Sequence, residues 1–334
     1  MNRLRRLMFG ISAEEATFSR RGFRSHDDSL RLRLEQVGQT FLEGYHAALE
    51  AEGDAALGRR LDSVEAEVRG FAYEGAGMAL ALLDFVKPWG RKRFRPFLAG
   101  PGSAHQYMMH VGAGWALARL RRDPSKALTE FDPLLRWLAI DGYGFHEGYF
   151  RWPASVVLHK LPRRLSGYAR RAFDQGLGRS LWFVEGADVE RLPTTVATFA
   201  EERQPDLWSG VGLACAYAGG PDADGIDALR VGAGRFSTHL AQGVVFAAAA
   251  RQQAGNMAEH TRMACRVVCD LTAEAAAALA SSAAQQLPLD RDVPAYEVWR
   301  RRIANEFTRS GVGAGRRRTL SGVAQPRAGA LSVL

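Results

Sequence analysis

The chain is poor in lysine. Lys87, Lys92, Lys126 and Lys160 are four of its 44 basic side chains, and arginine supplies the rest. With alanine so frequent, this bias points to the codon usage of a GC-rich genome rather than to a demand for guanidinium. Cysteine is nearly as scarce. Cys215, Cys265 and Cys269 are too few for a disulfide framework, and no Cys-x-x-Cys occurs. Cys265 and Cys269 would share a helix face without reaching disulfide geometry. Such usage fits a reducing, cytoplasmic setting. Long apolar runs are missing too: the longest, Val244 to Ala250, is far short of a bilayer span. The opening Met-Asn-Arg-Leu-Arg-Arg-Leu-Met-Phe-Gly is basic but lacks the apolar region of a signal peptide. The reading is therefore no transmembrane segment. Arg3, Arg5 and Arg6 interleave with Leu4, Leu7, Met8 and Phe9, an amphipathic pattern compatible with peripheral membrane contact.

Acidic residues are absent from one end of the chain and sparse at the other. Residues 310–334 hold four arginines and no acid, and residues 1–25 hold six arginines against two glutamates. These two ends account for the whole net charge of +8, and the body, 26–309, is neutral. Composition thus gives no support to a basic groove, and no nucleic-acid partner is expected. What remains is ordinary globular material. The 334 residues, 47% hydrophobic and 24% charged, suffice for a sizeable core.

Strand-like alternation is scarce; Ser155 to His159 and Leu181 to Val184 are the best short candidates. Helical periodicity is widespread. Leu30, Leu34, Val37, Phe41 and Tyr45 predict a helix over 29–52, capped by Asp28 or Ser29. Residues 55–69 continue in helical style, 256–286 predict one or two alanine-rich helices, and 294–308 a last one. The expected organisation is a basic N-terminal segment (1–25), a single helical domain (26–309) and a disordered basic tail (310–334).

Glycine supplies the clearest repetition. A Gly-x-Gly pair leading into an apolar stretch occurs at Gly75/Gly77, Gly112/Gly114, Gly142/Gly144, Gly210/Gly212 and Gly232/Gly234. Phe-x-x-Gly recurs at Phe41 to Gly44, Phe145 to Gly148 and Phe173 to Gly176. Similar gaps separate Gly44 from Gly75 and Gly176 from Gly210, which suggests units starting near residues 35 and 167. Each helical glycine costs about 1 kcal/mol relative to alanine, and close helix–helix approach is the simplest compensation. A nucleotide-binding fingerprint would need a third glycine after a strand, and none of the pairs has one. The expected fold is mainly α, a compact bundle of packed helical hairpins with degenerate internal repeats.

The densest polar and aromatic cluster is Asp141-Gly-Tyr-Gly-Phe-His-Glu-Gly-Tyr-Phe150. On a helix Tyr143, His146 and Phe150 share a face, and the glycines leave room for approach to His146. Asp141, His146 and Glu147 are therefore the candidates for proton transfer. Structural histidine hydrogen-bonded within a tight helix contact is the competing reading. Tyr143, Tyr149, Phe150 and Trp152 are candidates for ligand contact, with His110 and His239 as outliers. Glu43 and His46 form a single Glu-x-x-His, and a di-iron bundle needs two. An alternative is that Glu43/His46 and His146/Glu147 face each other. No metal site is expected, and no cofactor is implied. Trp137, Phe145, Tyr149, Phe150, Trp152, Trp182, Phe183 and Trp208 crowd the middle of the chain, either as core or as the lining of an apolar cavity.

Three segments carry a resemblance: the opening Met-Asn-Arg-Leu-Arg-Arg-Leu-Met-Phe-Gly-Ile with Arg21-Gly-Phe23, the stretch Asp141 to Phe150, and Gly210-Val-Gly-Leu-Ala-Cys-Ala-Tyr-Ala-Gly219. Over residues 1–305 the chain resembles an uncharacterised bacterial domain-of-unknown-function family found among accessory proteins of enediyne polyketide biosynthesis. The resemblance implies a role in antibiotic-type secondary metabolism, with a polyketide-derived small molecule or a polyketide synthase as partner. It supplies no catalytic residues. Two functions follow as expectations: binding or processing of a polyene intermediate, or a non-enzymatic helical scaffold docking a synthase or a membrane-bound partner.

Overall fold

The computed structural model describes residues 2–90 and 92–309. Among these residues the chain is an all-α bundle without strands. Its frame is seven long helices: α1 (Asp28–Glu50), α2 (Ala66–Val86), α3 (Gln106–Arg119), α4 (Arg136–Phe150), α5 (Tyr168–Val184), α6 (Gln204–Ala218) and α7 (Ser237–Ala254). An eighth, α8 (Ala295–Arg309), packs on α7. Consecutive long helices lie side by side and run in the same direction. Contacts between α2 and the α3 region climb together: Tyr73 stacks on His105, Gly77 meets Met109, and Phe85 lies under Arg122. Between α6 and α7, Ser209 meets Gln242 and Tyr217 meets Arg251. Parallel neighbours need a return link. Short helices such as Asp54–Asp62, Phe94–Ala99 and Ala223–Gly232 occupy those links.

Glycine lets these helices touch backbone to backbone. A Cβ on Gly75 would overlap the Phe41 carbonyl of α1, and one on Gly77 the Met109 carbonyl of α3. Gly112 and Gly114 face Glu74 and Ala139 in the same way, and Gly142 and Gly144 face Val111 and Phe173. In each pair the first glycine seats the preceding helix and the second the following one. The succession starts at Gly44, against Ala72, and ends at Gly243, against Ser209. Gly176 and Gly178 form a further pair in it, beside Asp141 and Leu207. Gly232 and Gly234 do not belong: Gly232 packs on the Pro193 side chain, and Gly234 is a left-handed turn residue in open space.

Helix α1 is capped by Asp27, one residue before the expected position; its carboxylate accepts from the Ser29 and Leu30 N–H groups. The alanine-rich region forms two helices, Glu259–Ala264 and Ala273–Ala283, broken where a π-turn over Cys265–Cys269 runs into left-handed Asp270. Neither strand candidate is a strand. Leu181 to Val184 is the last turn of α5, apolar throughout because it is buried on all sides, and residues 153–157 form one π-helical turn. At the N-terminal end, Phe18 is buried, its N–H bound by Glu35, and Arg24 pairs with buried Glu185. Residues 310–334 lie outside the described residues. No described helix is long and apolar enough to cross a membrane.

Candidate functional site

The array surrounds two adjoining apolar cavities, the larger of them lined by α1 to α6. Eight aromatic rings face the larger one, among them Phe41, Phe71, Trp115, Phe145, Tyr149 and Phe150. Trp115 is the hub, with Phe41 at 4.5 Å and Phe145 at 5.0 Å between ring centroids. The smaller, lined mainly by α3, α4, α6 and α7, shares Arg179, Leu213 and Tyr217 with the first.

Charge is gathered where the two cavities meet. Arg179 donates to Asp141 Oδ1 at 2.5 Å and lies 3.8 Å from Glu74 Oε2. Gln175, one turn before Arg179 on α5, donates to the other oxygen of Asp141 at 2.9 Å and to Tyr296. Trp115 Nε1 donates to Glu74 Oε1 at 3.1 Å. Glu74, Asp141 and Arg179 are all buried. Two carboxylates therefore share one guanidinium out of water. Burial pushes Glu74 up to about 7, with Arg179 pulling it down and Asp141 adding to the rise. Burial opposes the charge on Arg179, but Asp141 and Glu74 outweigh it and raise its pKa. Glu74 thus exchanges a proton near neutrality, while Arg179 remains a cation. Glu74 faces the larger cavity and Asp141 the smaller one.

The sequence candidates are divided by this geometry. His146 Nδ1 stands 3.4 Å from Glu147 Oε1 but is out of line for a hydrogen bond. Its ring meets Trp115 and Phe150, and burial lowers its pKa, with Glu147 opposing. Asp141 joins Arg179 and Gln175 instead. Tyr149 and Phe150 line the larger cavity, whereas Trp152 donates to the Arg21 carbonyl and Tyr143 packs near Phe173. His110 is buried between Phe94 and Phe131 with Nδ1 on the Gln106 carbonyl. His239 sits beside Phe236. His46 Nε2 accepts from the Ile11 N–H, so the pairs Glu43/His46 and His146/Glu147 make separate contacts.

Residues 1–307 match the family described as protein of unknown function (DUF1702). The chain belongs to DUF1702. No curated protein and no solved structure matches it. For this DUF1702 member the site must therefore be argued from its own chemistry.

Glu74 and Arg179 escaped the sequence reading, yet a signal for Glu74 is there. The residue before the first seam glycine is polar in six of the seven helices (Glu43, Glu74, Asp141, Gln175, Ser209 and Gln242), and all of these but Glu43 are buried. They join sideways: Glu74 and Asp141 through Arg179, Asp141 to Gln175, and Ser209 to Gln242 at 2.7 Å. A polar residue fixed at one position of an apolar helix repeat marks a polar belt through the core. Arg300 on α8 extends this belt to Gln242 and Asp206.

Proposed function

We propose that this protein binds an elongated, unsaturated apolar molecule, a polyketide-derived polyene, at its central aromatic cavity, and moves a proton on it. The observation that carries the reading is a protonatable carboxyl, Glu74, facing a cavity walled by aromatic rings. Ring faces suit both the flat surface of a conjugated chain and positive charge developing on it. In the reaction proposed, Glu74 delivers its proton to one end of the conjugated system and a proton leaves another carbon, returning to the carboxylate. Double bonds shift, and atoms and charge balance without a cofactor. Arg179 stabilises the Glu74 carboxylate while the proton, and its positive charge, reside on the polyene. His146 and Glu147 remain the candidate second proton-handling pair. The resemblance to accessory proteins of enediyne biosynthesis supports the polyene class and a cytoplasmic place in secondary metabolism.

The test is native mass spectrometry of the protein purified from its native host, followed by denaturing extraction. A stoichiometric conjugated polyene, released on denaturation, is the expected result. Deuterium incorporation into that polyene from heavy water should be lost in Glu74→Gln. A bare, folded protein that co-purifies with another polypeptide would overturn this reading in favour of a scaffold.

A further inference from the structure

One end of the helix array carries exposed apolar side chains that the cavity does not explain. The N-terminal helix Asn2–Phe9 leans on the C-terminal ends of α1 and α3: the Phe9 carbonyl accepts from Tyr45 Oη at 2.8 Å and from Arg119. The turn after α2 lies at the same end, where Arg122 donates to the Phe85 carbonyl. Leu7 of the helix is 84% exposed and Trp89 of the turn 83%, and Leu4, Met8 and Val86 are exposed beside them. Isolated exposed leucines are ordinary, but several large apolar groups on adjoining segments with a cationic rim mark an interaction surface. The rim is present. Lys87, Lys92 and Arg95 are exposed. Arg5 is partly buried and near enough to Arg93 for the two charges to repel; burial first, then Arg93, lowers its pKa. Of these cations Lys92 has a carboxylate partner, Glu130 at 3.8 Å.

We propose that this end of the protein docks on an anionic lipid bilayer, with Leu4, Leu7, Met8 and Trp89 entering the headgroup zone and Arg5, Lys87 and Arg93 meeting lipid phosphates. Tryptophan and leucine on a short amphipathic helix and an adjacent turn suit the water–hydrocarbon boundary. Arginine and lysine around them draw the face to negative lipid. Charge complementarity selects this occupant: an apolar protein partner would not call for five cations around the patch. The inference stands apart from the cavity reading.

The test is flotation of the full-length protein with vesicles of phosphatidylcholine alone, or with about one third phosphatidylglycerol. Wild-type protein should float with the anionic vesicles and lose most of that binding in salt of about 0.5 M. A Leu7→Ser/Trp89→Ser double variant should bind about tenfold more weakly with its charges untouched. Lys87→Gln/Arg93→Gln should lose the preference for anionic lipid. All these positions are at the surface, and unchanged helical circular dichroism would confirm the fold. Absence of binding to either vesicle would overturn the proposal. So would a double variant that floats like wild type, because binding would then come from Arg316, Arg317 and Arg318 or another face.

Discussion

Two buried acid–base groups lie on neighbouring turns of the same bundle, and they differ in how they are held. Glu74, Arg179 and Asp141 come from α2, α5 and α4 and meet between the two cavities. His146 and Glu147 are consecutive residues of α4, and the Glu147 carboxylate accepts from Arg151 one turn on rather than from across the bundle. Tertiary packing must bring the first group together, while the second exists wherever α4 is helical. A group assembled from three helices can carry strained charge, because no one of its members can leave without moving a helix. A consecutive pair has no such support. The cavity faces the assembled group, which is why the proposed chemistry is placed on Glu74.

The comparison breaks most sharply at Arg179. In Arg179→Met two buried carboxylates lose the cation they share, and removing one partner of a buried charge group costs about 3–5 kcal/mol. The expected result is a large fall in the urea midpoint, and a fall no larger than that of His146→Gln would refute the assignment. Glu74→Gln should act through pH. Glu74 rises from an ordinary 4.5 to about 7 in the folded protein. The folded state therefore binds its proton more tightly, and the associated stability is present below pH 4.5 and lost as pH rises through 7. Relative to wild type, Glu74→Gln should gain roughly 3 kcal/mol between those limits. Urea titrations across that range would read the gain directly, and parallel curves for the two proteins would remove Glu74 from the argument.

Gly112→Ala probes the packing that holds the assembled group. Its Cβ would overlap the Glu74 carbonyl, so α3 and α2 must part where Trp115 reaches Glu74. Overpacking of this kind costs about 1–3 kcal/mol. Gly53→Ala, with nothing near its Cβ, should cost less, about 0.5 kcal/mol in the same thermal melts, from the poorer N-cap it gives the helix Asp54–Asp62. His146→Gln should act in one pH range alone. Burial lowers the His146 pKa, so its contribution is present at high pH and lost as pH falls below the ordinary histidine value of 6.5. Melting at about pH 5 and about pH 8 should show the variant gaining on wild type only in acid.

Much of this was legible in the chain. Helix α1 follows from Leu34, Val37 and Phe41, and the glycine pairs announce close helix contacts before any contact is seen. Asp141 stood out because it opens the densest polar cluster. Arg179 did not, since one arginine among so many carries no local mark. Leu181 to Val184 misled for the opposite reason: a helix turn enclosed on every side has no amphipathic stripe. Gly232 and Gly234 misled because the same spacing serves a turn as well as a helix seam.

The helices, the glycine seams and the polar residue that precedes so many of them are written in the order of residues, because period and backbone clearance are local properties. Only the tertiary structure decided that the long helices run in one direction, that Glu74 and Asp141 share Arg179, and that the shared charge faces an aromatic cavity. Those facts depend on residues more than a hundred positions apart being brought within a few ångströms. Burial, which sets the proton affinity of Glu74, exists only once that has happened.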